Sequence, residues 1–182
     1  MGESTSLNSS EPQGDIIRGV PKKGGFSILL DRHFDLFKKI MDTADHIMHS
    51  DGELPGFERE LIAAYVSRLG NCSFCETYHA AFAKELGLKD PDQILENPSD
   101  KYLVLFSLAE RVVEQNVQRS DIENVLDAGY TEEAAEEIIH VASLFGFFNR
   151  LVISYGLETS PEEEKALVEA LRERYNNDVK ET

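Results

Sequence analysis

A chain of 182 residues with 41% hydrophobic content is long enough to bury one core, so a single domain is expected. Its 18 Lys and Arg against 34 Asp and Glu give a formal charge of −16, which repels phosphate backbones and anionic headgroups and argues against nucleic acid and membrane surfaces as partners. No apolar run approaches the roughly 20 residues that span a bilayer, and the amino terminus has no basic start followed by an apolar stretch, which predicts a cytoplasmic protein.

Residues 1–25, rich in Ser, Gly, Pro and charge, show no apolar periodicity and are expected to form a flexible arm. From Phe26 through Leu29, Phe34, Phe37, Ile40 and Ala44 to Met48, apolar residues recur every three or four positions. They predict one amphipathic helix that stops near Asp51-Gly52. Pro55 suits the first turn of a second helix, whose face carries Leu61, Ile62, Tyr65, Val66 and Leu69 and which Gly70-Asn71 interrupts. A third helix is expected from near Cys72 to Gly87. Asp90-Pro91-Asp92-Gln93 and Ser160-Pro161-Glu162-Glu163 read as helix starts with a capping side chain before proline, and Ser120-Asp121-Ile122-Glu123 as a capping box. Helical spacing fills 101–114, 120–128 and 131–155, Gly129 marks a stop, and the charged helix 160–175 suits a solvated face or a packing flap. Sustained two-residue alternation occurs nowhere, so the fold class is all-α.

The only cysteines, Cys72 and Cys75, stand three apart where the third helix begins. A reducing compartment disfavours a structural disulfide, which leaves redox chemistry, metal binding or two small buried hydrophobes. At a helix start, unpaired N–H groups and the positive end of the dipole stabilise a thiolate. His79, one turn beyond Cys75 on the same face, is placed to exchange a proton with it. Zinc finds three ligands in Cys72, Cys75 and His79 and lacks the fourth that a structural site needs. Glu60 stands beside Glu58 and Arg59, where a solvated face is the ordinary expectation. Surface positions are expected for His46 and His49, and a core or interface position for His140. His33 carries no signal, and Tyr78 and Phe82 are expected in the core. Asn149-Arg150 interrupts an apolar run, and a buried polar pair needs partners, so it is read as a tie between helices or subunits.

The arrangement Glu60-x11-Cys72-x2-Cys75-x3-His79, within FERELIAAYVSRLGNCSFCETYHAAFAKELGL, resembles the signature of the carboxymuconolactone decarboxylase and AhpD-like family, in its peroxidase-related branch. LFSLAERVV and DIENVLDAGYTEEAAEEIIHVASLFGFFNRLVISYGLE resemble the second half of that branch. The likeness covers 26–158 and leaves 159–182 as a charged helix and tail of the same domain. It implies an AhpD-like helical fold, a trimeric or hexameric homo-oligomer, and no metal or bound organic cofactor. The implied activity is reduction of a small-molecule hydroperoxide by a dithiol that a thiol reductant or redox protein partner restores. Cys75 would be the peroxidatic residue, passing through a sulfenic acid, and Cys72 would close the disulfide. Glu60 and His79 would form the proton relay. In the AhpD subgroup a further relay histidine precedes the second cysteine; here that place holds Phe74. Two other activities stay open: a decarboxylase or other lyase acting on a cyclic carboxylic acid, and a non-catalytic oligomer whose disulfide senses oxidation.

Overall fold

A computed structural model describes residues 16–178, with side chains to 170. The expectations for residues 1–15 and 179–182 lie outside the described residues. Among these the secondary structure is helical: α1 (Gly25–Arg32), α2 (Phe34–His49), α3 (Gly56–Leu69), α4 (Ser73–Glu85), α5 (Pro91–Glu96), α6 (Asp100–Val113), α7 (Arg119–Asp127), α8 (Glu132–Tyr155) and α9 (Pro161–Asp178).

The single helix expected from Phe26 to Met48 is two, because His33 leaves the helical region at φ −128°, ψ 42°. The break keeps the three-and-four spacing on both sides, so periodicity could not report it. Arg32 stabilises it by donating to the carbonyls of Arg18 and Gly19 at 3.2 and 3.1 Å. Capping also differs in two places. The box of α7 pairs Gln118 with Asp121, two residues before the expected one, and Asp90 caps α5 with its backbone at φ 50° but makes no side-chain cap bond. Ser160 behaves as expected, its Oγ accepting from Glu163 N at 3.2 Å.

Helix α3 is the axis of the molecule. It packs on α2, α4, α5, α6 and α8, and its buried residues cover nearly its whole circumference. Such a helix must bury charge if it carries any, and Glu58, Arg59 and Glu60 are all buried. Successive helical residues point about 100° apart, so each meets a different neighbour. Glu58 meets Lys101 of α6 at 2.5 Å, Arg59 meets Glu137 of α8 at 3.0 Å, and Glu60 meets His79 of α4 at 2.5 Å. Arg59 also donates to the Ser50 carbonyl at 2.6 Å, while Glu137 accepts from Glu53 N and Leu54 N at 2.8 and 3.0 Å. Together they fix the turn that ends α2.

Helix α8 reaches the length and mean hydropathy of a membrane span, 1.4 in its most apolar window, which qualifies the expectation that no stretch comes close. Its apolar side chains, Ile138, Val141, Phe145 and Phe148 among them, pack into the main core with α3 and α6.

Candidate functional site

The turn from α3 to α4 sets the cysteines. Asn71 takes a left-handed conformation at φ 56°, Cys72 N donates to Ser67 O at 2.9 Å, and Asn71 N to Arg68 O at 3.1 Å. These two bonds form the Schellman closure, in which a left-handed Asn can stand for the usual glycine. Gly70 gives room to Asn149: a Cβ there would lie 3.0 Å from Asn149 Nδ2, so the amide would have to give way. Asn149 secures the same turn from α8, donating to Val66 O at 3.2 Å and accepting from Ser67 Oγ at 3.0 Å, so the tie expected of it is present. Arg150 was expected to share that burial and does not. It is exposed and, among the described residues, donates to Gly146 O of its own helix.

Ending α3 in this way makes Cys72 the N-cap of α4 and puts Cys75 in its first turn. Both thiols are free, 2% and 5% exposed, with their sulfurs 3.0 Å apart. The Cys75 thiol hydrogen-bonds Cys72 and, with the backbone amides of Phe74 and Cys75, holds the Cys72 thiol below its ordinary value against the opposing effect of burial. The same bond, burial and the neighbouring charge push Cys75 well up. The first negative charge of the pair therefore rests on Cys72. It follows that Cys72→Ser lowers the pKa of Cys75, because the bond and the charge that raise it disappear. Alkylation of Cys75 in that variant, followed against pH, is expected to begin at lower pH than in the wild type. An unmoved onset would mean that the Cys72 thiolate does not hold the Cys75 proton.

The cysteines sit in a small apolar cluster apart from the main core, with Val20, Phe74, Tyr78, Val152 and Leu157. Val20 is fully buried, and the segment around it is tied down by Glu158 N donating to Lys22 O at 2.9 Å and Gly24 N to Glu163 Oε2 at 3.0 Å. Beside this cluster lies a cavity of 220 Å³. Cys75, Glu60, His79, His49 and Asp45 line it together with Tyr78 and apolar groups that include Phe26, Met41, Phe74, Phe82, Phe145 and Leu167.

Glu60, 1% exposed, lies within this cavity wall, contrary to the solvated-face expectation. Its Oε2 meets His79 Nδ1 at 2.5 Å, which fixes the ring so that Nδ1–H faces the carboxylate. Burial works to raise the Glu60 carboxyl, but His79 and His49 together outweigh it and hold the carboxyl below its ordinary value. His49, expected at the surface, is mostly buried: Nε2 lies 3.5 Å from Glu60 Oε1 and Nδ1 3.1 Å from Asp45 Oδ1. The signal that could have found it is its helical neighbourhood. Ala44, Asp45, Met48 and His49 occupy i, i+1, i+4 and i+5 on the inward face of α2, and Asp45 and His49 form an i,i+4 pair. His33, His46 and His140 are exposed, so of the two positions expected for His140 the core is ruled out. Tyr78 is in the core as expected, with a hydroxyl that has no hydrogen-bond partner among the described residues. Burial, with Glu163 and Glu164, raises its pKa and keeps it a donor. Among the described residues, no group of three or more His, Cys, Asp and Glu is arranged to hold a metal ion.

The sequence profile of the carboxymuconolactone decarboxylase family matches residues 35–112, a stretch that contains Asp45, His49, Glu60, both cysteines and His79. No curated protein matches the chain. Among solved structures it is similar to an alkylhydroperoxidase AhpD core, an uncharacterized peroxidase-related protein from Ralstonia eutropha JMP134. That likeness has 26% identity and a TM-score of 0.69 over 74% of this chain and 75% of that one. A second similar structure is an uncharacterized peroxidase-related protein from Silicibacter sp. TM1040, at 19% identity and TM-score 0.65, covering 88% of this chain and 97% of that one. At 19% identity the likeness concerns the fold.

Proposed function

We propose, on the premise that the chain belongs to the carboxymuconolactone decarboxylase and AhpD-like family, that it is a CxxC-dependent dithiol oxidoreductase that reduces hydroperoxides. The observation that carries this reading is the pair of free thiols, 3.0 Å apart at a helix N-terminus, of which Cys75 opens on the cavity that also holds Glu60 and His79.

Of the pair, Cys72 ionises first and Cys75 keeps its proton. Passing that proton across to Cys72 makes Cys75 the thiolate beside the substrate, and access to the substrate outranks resting charge in choosing the nucleophile. Cys75 Sγ attacks the terminal oxygen of the hydroperoxide and the O–O bond breaks. Cys75 becomes a sulfenic acid, and the alkoxide leaves as an alcohol with a proton from the His79 imidazolium, which Glu60 stabilises. Cys72 then attacks the Cys75 sulfur; its own proton leaves with the departing hydroxide as water, and a disulfide forms. A thiol reductant or redox protein returns two electrons and two protons, one of which restores the imidazolium as Cys72 ionises. No metal or organic cofactor enters these steps.

The cysteine pair at the cavity wall favours this reading over a lyase acting on a cyclic carboxylic acid, a reaction that needs no dithiol. The reading extends to a reducing, cytoplasmic compartment, where a resting dithiol persists. It also extends to a homo-oligomer that would cover Phe34 and Leu36, 61% and 57% exposed on α2.

Mass spectrometry after one equivalent of organic hydroperoxide tests the reading. The peptide carrying both cysteines is expected to lose two hydrogens and to regain them with a dithiol, while peroxide is consumed in step. Oxidation confined to intermolecular links, or peptide oxidation without catalytic consumption of peroxide, would return the chain to a redox-sensing oligomer.

A further inference from the structure

Glu60 is a buried carboxylate with an imidazole on each oxygen: His79 at 2.5 Å on Oε2 and His49 at 3.5 Å on Oε1. On its other side, His49 Nδ1 lies 3.1 Å from Asp45 Oδ1. Both nitrogens of that ring face carboxylate oxygens, and only the doubly protonated ring presents N–H to both. A buried carboxylate without a cation nearby tends to take up a proton, and a protonated Glu60 would no longer stabilise an imidazolium at His79.

We infer that His49, anchored by Asp45, is a positioning residue that keeps Glu60 ionised and so supports the His79 relay from the side opposite the cysteines. The inference rests on the dithiol reading of the site. It also accounts for Phe74. The position before Cys75 is filled by an aromatic wall that packs on Phe26 and Tyr78, with ring centroids 5.9 and 4.6 Å away. The second histidine of the site comes instead from α2, through the carboxylate.

Among the described residues, the titratable groups that line the cavity at this cluster come from three helices. Helix α2 supplies Asp45 and His49, α3 supplies Glu60, and α4 supplies Cys75, Tyr78 and His79; the described residues that α8 and α9 add to the lining are apolar. His49 is held in place by the turn that Arg59 and Glu137 pin, with Arg59 Nη1 donating to Ser50 O at 2.6 Å. The imidazolium therefore stands at a fixed distance from Glu60.

Three variants in the full-length protein test this: His49→Gln, which keeps a polar group and loses charge, His49→Lys, which keeps charge and loses the ring, and Asp45→Asn. The readout is the pH dependence of cysteine alkylation, followed on the peptide carrying both cysteines, together with peroxide turnover. His49→Gln is expected to move the onset of alkylation up by about one pH unit, the lower end of what one nearby opposite charge does to a titrating group. Its turnover is expected to fall most at the acidic end. Asp45→Asn should move the onset in the same direction by less, and His49→Lys should recover most of the shift. An unmoved onset in His49→Gln overturns the inference. So does an equal shift in the Gln and Lys variants, since shape rather than charge would then be what matters. Alkylation needs no turnover, so the expected shift in a protein that consumes no peroxide would uphold the role of His49 and sink the peroxidase reading alone.

Discussion

Cys75→Ser is expected to abolish hydroperoxide consumption, whereas Cys72→Ser is expected to leave one round of chemistry that stops at a sulfenic acid on Cys75. The asymmetry follows from placement. Cys75 lines the cavity, while Cys72 lies behind it as the N-cap of α4, on the Schellman turn. Without Cys75 no sulfur meets the substrate, and the Cys72 thiolate, however well stabilised, has nothing to attack. Without Cys72 the first step still proceeds, helped by the lower pKa of the isolated Cys75, but the sulfenic acid has no neighbour to displace its oxygen. A dimedone-type trap added with one equivalent of hydroperoxide should therefore label Cys75 in Cys72→Ser and leave Cys75→Ser unlabelled. Labelling on Cys72 in the second variant, with none in the first, would exchange the roles and follow the resting charge instead of the access.

Glu60→Gln is expected to slow turnover by roughly 100-fold, the lower end for a lost acid–base partner. The amide keeps the shape of the side chain and a contact with His79, but not the charge that stabilises the imidazolium. The proton for the leaving alkoxide then becomes harder to hold, and the cysteine pair first ionises at higher pH. Stability shifts in a definite direction as well. The folded carboxyl titrates below its ordinary value of 4.5, so its contribution is present above that pH and is lost as pH falls through the folded value. The variant lacks this portion of the acid transition. Steady-state rates, the pH profile of alkylation and thermal melting between pH 3 and 7 measure all three. A well-folded Glu60→Gln protein with wild-type rate and profile would reduce Glu60 to a buried structural charge.

The main features of the fold were legible because they depend on local spacing. Apolar recurrence marked the helices, Gly70-Asn71 marked the turn that sets Cys72, and the distances among Glu60, Cys72, Cys75 and His79 put those residues on two adjacent helices, where Glu60 and His79 meet. The break at His33 was not legible, since an apolar stripe continues through a kink that leaves the period unchanged. Burial of Glu58, Arg59 and Glu60 was hidden for a different reason. Three consecutive charges point in three directions on any helix, and whether those directions meet water depends on how many other helices surround α3. His49 stayed hidden because its partner is 11 positions away on another element, with no spacing rule to join them.

The three ties of α3 also bear on which changes of chain length the molecule can absorb. Inserting one residue ahead of Glu58 turns the remainder of the helix by about 100°, so that each charge faces the neighbour of the next. Glu58 would then approach Glu137 and Arg59 the histidines. Each broken buried pair costs about 3–5 kcal/mol, against a total stability of about 5–15 kcal/mol for an ordinary domain. Two such losses together take up most of that margin. A one-residue insertion between Pro55 and Glu58 is therefore expected to cost the protein its fold, whereas one in the loops that flank α7 leaves all three ties in place.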